Sequence, residues 1–353
     1  MRKKGGTYCP LWYDRVGEEA PMNILVTGGA GYIGGHMVLG LVDRGITPVV
    51  IDDMSNGVAW ALRPSVPFYH GDIGDHALVA RILREHRIDT IIHFAAQLIT
   101  PDLYEKPLEY YLRNTVKSRA LLQAAMEHGV KRFVFSATAA AYGNPRSNPI
   151  AEDAPIAPTS PYGTSKYMTE LMLADVAAFS DMRYVALRYF NVAGADPQTR
   201  YGQSTTKTTL LVQIAVQSAL GLRPGFEVFG TDYPTADGSC VRDYIHVTDL
   251  VDAHVRALDH LQKGGENLTC NVGYGHGFSV KQVIDTVKRV SGRDFDVRYG
   301  PRRRGDPIEV VADASRIRAR LGWQPDYDDL EVIVDHALRW EQHMVDHYRF
   351  PRT

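Results

Sequence analysis

Three cysteines in 353 residues, Cys9, Cys240 and Cys270, are too few and too scattered for a disulfide framework or a zinc site, and they suit a reducing, cytoplasmic setting. Charge of one sign is also missing. Lys and Arg number 39 against 41 Asp and Glu, a formal net of -2, so there is no electrostatic case for nucleic acid or an acidic membrane surface as partner. No apolar run approaches the ~18 residues of a membrane span. Residues 1–21 carry Arg2, Lys3 and Lys4 but no apolar core, which excludes a signal peptide. They read as a loosely ordered extension upstream of Met22, which directly precedes the first strand-like run. The 13 histidines show no ligand spacing on one face, so no metal is expected. There is no internal repeat and no low-complexity stretch. At this length, one large or two interleaved domains are expected.

What is present begins at Asn23-Ile24-Leu25-Val26, a short apolar run followed by Thr27-Gly28-Gly29-Ala30-Gly31-Tyr32-Ile33-Gly34. An apolar helical stretch, Met37 to Val42, ends at Gly45, and a second buried-strand run, Pro48 to Ile51, ends at Asp52 and Asp53. Strand, glycine turn, helix, strand and acid, with the acid about 20 residues past the glycines, is the dinucleotide fingerprint. Glycines let backbone N–H groups approach a pyrophosphate at the positive end of a helix. Asp52 would bind the ribose hydroxyls and repel a 2′-phosphate, which points to NAD over NADP.

Further on, Ser160-Pro161 reads as a helix start that carries Tyr162 and Lys166. Positions i and i+4 share one helix face, so phenol and ammonium project into one pocket. A charge ~6 Å away at an effective dielectric of ~20 contributes about 2.8 kcal/mol, enough to lower a phenol by roughly two pH units from about 10. That falls short of neutrality, so a second cation is needed, and an oxidised nicotinamide ring would supply it. Alone, a Tyr-x-x-x-Lys pair on a helix is usually a surface pair. The strand run Arg132 to Ser136 leads into Thr138, Ala139 and Ala140; a hydroxyl there completes a Ser/Thr–Tyr–Lys set for moving a proton on and off a sugar alcohol.

Apolar runs at 88–94, 132–136 and 184–189 alternate with helical stretches at 108–126 (closed by Gly129) and 161–179. The rhythm predicts an α/β, Rossmann-type doubly wound parallel sheet. After Asn191 the texture loosens into long loops with helices near 208–221, 248–261, 279–290 (Ser279 as N-cap) and 328–346. The expected division is an NAD-binding Rossmann domain at 22–190, with part of 240–275 packing back onto it. A smaller, interleaved domain at 191–353 would bind substrate over the carboxyl ends of the strands.

Over nearly all of residues 22–345 the chain resembles the extended short-chain dehydrogenases/reductases, and within them the UDP-glucose 4-epimerases. The resemblance rests on the glycine run and on Gly71-Asp72-Ile73, His93-Phe94-Ala95-Ala96, Lys106 to Tyr111, Pro161 to Lys166 and Leu187-Arg188-Tyr189-Phe190-Asn191. Gly230 to Thr235, Val241 to Val247 and Gly305-Asp306 are more specific still. It implies that Thr138 hydrogen-bonds the reacting 4-hydroxyl, that Tyr162 is the base, and that Lys166 tunes it and holds the nicotinamide ribose. It also implies NAD contacts at Gly28, Gly31, Tyr32, Ile33, Gly34, Asp52, Asp53, Asp72, Ile73, Phe94, Ala95, Ala96, Asn114, Tyr162, Lys166 and Tyr189. The UDP-sugar would meet Phe190, Asn191, Phe229, Arg242, Arg303, Asp306 and Val310, besides Thr138 and Tyr162. Of Arg302-Arg303-Arg304, a charge run that is ordinarily a solvated turn, one arginine becomes a diphosphate clamp.

The reaction implied is oxidation at C4, rotation of the keto sugar about its diphosphate link, and return of the hydride to the other face. A resident NAD and a homodimer built on a helical interface go with it. Ala139 and Ala140 stand where the related 4,6-dehydratases carry Asp-Glu, which removes the acid that dehydration needs. Gln97-Leu98 and Leu210 depart from the pattern of the family. Val310, where a Tyr restricts the pocket to plain hexoses, implies activity on N-acetylhexosamines as well. UDP-xylose/UDP-arabinose epimerisation is the runner-up, and a non-catalytic NAD-binding sensor comes behind it.

Overall fold

Short runs of branched apolar residues form the centre of the molecule. In the computed structural model, which describes residues 22–58, 62, 64–97, 105–205, 208–303 and 305–349, every residue of β1 (Ile24–Thr27), β2 (Val49–Asp52) and β4 (Thr90–His93) is buried. The expected extension at 1–21, Leu98 and Arg304 lie outside the described residues. Strands so uniformly apolar belong to a parallel sheet covered on both faces. With β3 (Phe68–His70), β5 (Arg132–Thr138), β6 (Arg183–Tyr189) and β11 (Leu268–Val272) they form one all-parallel sheet in the order β11-β6-β5-β4-β1-β2-β3. The order reverses between β1 and β4, so the cleft for a ligand opens there at the carboxyl ends of the strands.

One face of the sheet is covered by α1 (Tyr32–Asp43) and α7 (Val247–Gln262), which share a core that includes Met37, Leu41, Leu250 and Leu258. The other is covered by α2 (His76–Glu85), α4 (Lys117–Glu127) and α5 (Pro161–Ala178), through Ile82, Leu121 and Leu173. Each fully buried aliphatic side chain of this kind contributes roughly 1.5–3 kcal/mol.

The helix expected at 108–126 is interrupted. A short α3 (Pro107–Tyr110) passes into a π-helical turn (Tyr111–Val116) before α4 resumes the ordinary pitch. The wider turn directs Asn114 inward, where its carbonyl accepts from Thr169 Oγ1 at 2.8 Å. π-bulges tend to occur where a side chain must be re-aimed at a functional site. Neither β3 nor α2 was foreseen from the sequence. β3 is a half-exposed, three-residue edge strand. In α2, Val79, Ala80, Ile82 and Leu83 are buried, and Asp75 caps the start by accepting from Leu78 N at 3.0 Å.

Past Asn191 the elements are smaller. Among them are β7 (Asn191–Ala193) paired with β10 (Tyr244–His246), β8 (Phe226–Phe229) with β13 (Val297–Gly300), and β9 (Val241–Arg242) between β12 (Phe278–Ser279) and β14 (Glu309–Val310). Helices α6 (Leu211–Ala219), α8 (Val280–Ser291) and α10 (Leu330–Met344) pack together, and α9 (Ser315–Leu321) lies against β11. Ser279 caps α8 in a reciprocal capping box with Gln282.

The sheet's edge strand β11 and the covering helix α7 both come from beyond residue 246, although the rest of the sheet lies before residue 190. A fragment limited to residues 22–190 is therefore expected to melt without a cooperative transition and to bind a hydrophobic dye, in contrast to the intact chain. Calorimetry and dye fluorescence check this.

Candidate active site

The glycine loop is closed by contacts that no larger residue would permit. Gly28 leaves β1 at φ +68°, and a Cβ there would lie 2.7 Å from the backbone nitrogen of Ala95. On the first turn of α1, a Cβ on Gly34 would lie 2.1 Å from the Gly28 carbonyl oxygen. Helix and loop thus touch backbone to backbone, while Gly31 caps α1 with no side chain. Bare N–H groups at a helix start are what a pyrophosphate requires, so the residues present fit a dinucleotide. The loop carbonyls are turned the other way: Tyr201 Oη donates to Ala30 O (3.1 Å) and Gly31 O (2.9 Å) from the far half of the chain. Tyr32 sends its phenol to Gly194 O (2.7 Å), and Ile33 packs into the core, so both offer a cofactor mainly backbone.

At the end of β2, Asp52 is buried and accepts from Ala30 N (2.9 Å) and Met54 N (2.8 Å); burial raises its carboxyl above the ordinary value. Asp53 is more exposed. Burial works against its charge, but two hydrogen bonds from Ser55 and the charges of Lys117 and Arg113 hold its carboxyl below the ordinary value. Asp72, expected near the adenine, is ion-paired with Lys117, above a buried Ile73. Phe94 turns its ring to His254 on α7 (4.8 Å between centroids); Ala95, followed by Ala96, donates its N–H to Thr27 Oγ1 at 3.3 Å. Asn114 is fully engaged: its side chain accepts from Gln97 N (2.6 Å) and donates to Gln97 O (3.2 Å) and Ser165 Oγ (3.1 Å). It ties the loop after β4 to α5. His93, in the same layer, is held by Thr27 Oγ1 and Ser118 Oγ.

Of the three expected catalytic side chains, Thr138 and Tyr162 lie together at the carboxyl end of β5, and Lys166 lies one turn further along α5, over the Phe135 ring. Ser160 caps α5 by accepting from Gly163 N (3.2 Å), and Tyr162 and Lys166 then fall on its buried face. Thr138, the last residue of β5, lies beside the Tyr162 phenol and favours its charged form. The direction of Tyr162's shift differs from the sequence expectation. Burial raises the phenol above its ordinary value; Thr138 opposes this and Tyr110, edge-on to it at 6.5 Å, adds to it. Lys166, whose ammonium lies 4.4 Å above the Phe135 ring, is not among the groups that shift it. Burial takes Lys166 itself down to about 7, with Glu170 one turn on opposing the fall. Desolvation therefore outweighs the single charge–charge attraction on which the sequence argument relied. Tyr189 hydrogen-bonds Ser136 beside Tyr162, and burial raises it too.

On the substrate side, Arg242 and Val310 are register partners on β9 and β14. Phe190 and Val310 are buried together with Ala139, Tyr142, Ile150 and Ala312. Asn191 is exposed at the start of β7, with its backbone donating to Asp243 O at 3.0 Å. Arg303 stacks over Phe229 (3.7 Å to the centroid), and Asp306 N donates to Arg303 O at 3.3 Å. Arg302 is taken up by Asp232 (2.7 Å) and the Tyr233 ring. Leu210, at the start of α6, borders a small cavity with Gln203 and Trp340.

The NAD dependent epimerase/dehydratase family matches residues 24–273. The chain belongs to this family. It is 52% identical over 323 residues to the UDP-glucose 4-epimerase of Azospirillum brasilense, covering 92% of this chain and 93% of that one. The UDP-glucose 4-epimerase of Brucella ovis, solved with NAD, superposes at TM-score 0.87 with 40% identity, covering 90% of this chain and 98% of that one. An enzyme of the same name from Stenotrophomonas maltophilia, solved with NAD and formylated UDP-arabinopyranose, gives 0.89 with 38% identity, covering 92% and 99%. The chain falls among the UDP-glucose 4-epimerases, and its cofactor is NAD.

Sequence reasoning missed two residues of this epimerase's site. Tyr201 acts on a loop 170 residues away in the chain, and no local pattern announces such a contact. Glu170 did leave a signal, because it continues the i, i+4 spacing of Tyr162 and Lys166. For the loop, Gly34→Ala forces the Gly28 backbone to move, so NAD binding is expected to weaken roughly a hundredfold, about 2.7 kcal/mol. The NAD released from heat-denatured purified protein measures it.

Proposed function

We propose that this epimerase interconverts UDP-glucose and UDP-galactose by inverting C4, with Tyr162 as the proton-transferring group. The observation that carries the reading is the juxtaposition of Thr138 and Tyr162 at the end of β5, with Lys166 buried on the same face of α5. When bound, the cofactor would supply a hydride acceptor as NAD⁺, a hydride donor as NADH and, in its oxidised form, a positively charged ring. Thr138 orients the 4-hydroxyl, and Tyr162 takes its proton and returns it on the other face. The buried setting, lined by Phe135, Tyr110 and Phe190, excludes water that would otherwise compete for those protons.

The nucleotide is to be held by Arg242 and Arg303, with Phe229, Asn191 and Asp306 around it, while the hexose is held loosely enough to turn. Firm anchoring of the diphosphate is what allows loose holding of the sugar. Tyr162→Phe removes the proton carrier but keeps its packing. Turnover of UDP-galactose without added NAD is expected to fall about a thousandfold, with bound NAD unchanged. A coupled UDP-glucose assay reads it, and near-normal turnover would sink this assignment.

A second reading concerns the substrate range. Val310 forms part of a small apolar wall with Phe190 and Ala139, directly after Thr138. A valine there supports admission of a 2-N-acetyl group. Val310→Tyr is expected to lower the ratio of UDP-GalNAc to UDP-galactose turnover by more than about tenfold through steric exclusion. An unchanged ratio in parallel assays would refute the gate.

The protein is also proposed to be a homodimer. Leu108, Leu112 and Val116 on α3 and the π turn, and Met168, Leu171 and Phe179 on and just after α5, are large exposed apolar side chains on neighbouring helices. Such rows normally mark a covered surface. Among the described residues no helix is long and apolar enough to cross a membrane. The buried free thiols Cys240 and Cys270 support a reducing, cytoplasmic location.

A further inference from the structure

Behind the reacting groups lies a buried charge cluster that the proposed mechanism does not use. Along the inward face of α5, Tyr162, Lys166 and Glu170 follow one another at one-turn spacing, and Glu170 is 6% exposed. A carboxylate so buried needs partners. Glu170 has one in Arg188 on β6, whose Nε and Nη2 reach its two oxygens at 2.7–3.2 Å. Arg188 is fixed in turn. Its Nη1 donates to Tyr142 Oη (3.0 Å) and to the Glu152 carbonyl (3.3 Å), and Tyr142 donates to Asn271 (2.7 Å). The carboxylate therefore has no freedom to follow Lys166; the lysine must accommodate to it. Two cations, Lys166 and Arg188, are thus buried around a single anion.

We propose that Glu170 is a positioning residue for the C4 reaction, a fixed counter-charge one turn along α5 that acts through space on the buried Lys166 ammonium without an ion pair to it. The inference rests on the 4-epimerase reading and adds to it the source of the charge balance behind the base.

The other titratable groups around Lys166 do not offer this charge. On its own helix, Tyr162 is held protonated by burial. From β4, His93 is pushed well below its ordinary value by burial and by Lys166, so it faces the lysine as a neutral ring. From β6, Tyr184 and Tyr189 are raised phenols, and from α3 comes Tyr110. Among the described residues Glu170 is the carboxylate that acts on Lys166, and it opposes the fall that burial imposes.

The sign of the consequence follows. Removing the carboxylate makes the ammonium easier to deprotonate, so activity that needs the ammonium is lost at lower pH. In Glu170→Gln, the alkaline limb of the kcat profile for UDP-galactose is expected to move down by about one pH unit. Glu170→Asp keeps the charge and should restore most of the limb. The same displacement should appear in the NMR titration of a 15Nζ-labelled Lys166 in NAD-loaded protein, a readout separate from turnover.

Glu170→Gln leaves Arg188 unpaired, and that alone can prevent folding. Glu170→Met/Arg188→Met removes both charges together; loss of the Arg188 cation offsets part of the loss of the carboxylate, so a smaller downward shift is expected. If neither variant moves the alkaline limb or the Lys166 titration, while kcat drops uniformly across pH, Glu170 is only a structural partner of Arg188 and the proposal fails. A wild-type protein inert toward UDP-galactose would instead overturn the epimerase reading, whatever the Lys166 titration shows.

Discussion

A lysine ammonium cannot be stripped of water without something to replace it, and the site is arranged around that constraint. Lys166 is 2% exposed and rests on the Phe135 ring. Its neighbours are an aromatic face, a neutral histidine and one fixed carboxylate, a set that only the carboxyl ends of β4, β5 and β6 can bring together under α5. The position of the helix is thus as much an electrostatic matter as a packing one. The Ser160 cap and Pro161 set where it begins, Thr169 and Asn114 pin it to the π turn, and Glu170 joins it to β6. A helix started one residue later would turn phenol and ammonium toward different neighbours.

The cofactor cleft shows the same economy of means. Gly28 and Gly34 let strand, loop and helix approach closely, and two carbonyls just before α1 are held by a single phenol. The group that holds them, Tyr201, comes from the segment after β7, which also carries Asn191. Substrate side and cofactor side are therefore built on one continuous stretch of chain. Arg200 strengthens the connection by pairing with Asp196 within the segment and with Asp43 at the end of α1.

Much of this was legible in the sequence, for physical reasons. Continuous apolar runs punctuated by glycine specify buried parallel strands, and β1, β2, β4, β5 and β6 lie close to where those runs stand. Ser160, Ser279 and the glycine loop are local signals with local consequences, and the structure realises them at those residues. The rest depends on distant parts of the chain. β3 is too short for any periodicity, the π turn answers to Asn114's partners on α5 and after β4, and β11 joins the sheet from residue 268. The Tyr162 phenol illustrates the limit best. Spacing alone put a cation one turn away and implied a lowered value, but burial, which spacing does not encode, reversed the direction.

On the reading proposed above, the chain by itself keeps Tyr162 protonated, and the positive charge of bound NAD⁺ is what would make it a base. The most direct test is a difference ultraviolet titration of phenolate, wild type minus Tyr162→Phe, on NAD-loaded and on NAD-stripped protein. The account expects the Tyr162 phenolate to appear well below its ordinary pKa of about 10 with NAD⁺ bound and above it in the stripped protein. Coincident titrations in the two forms would contradict it.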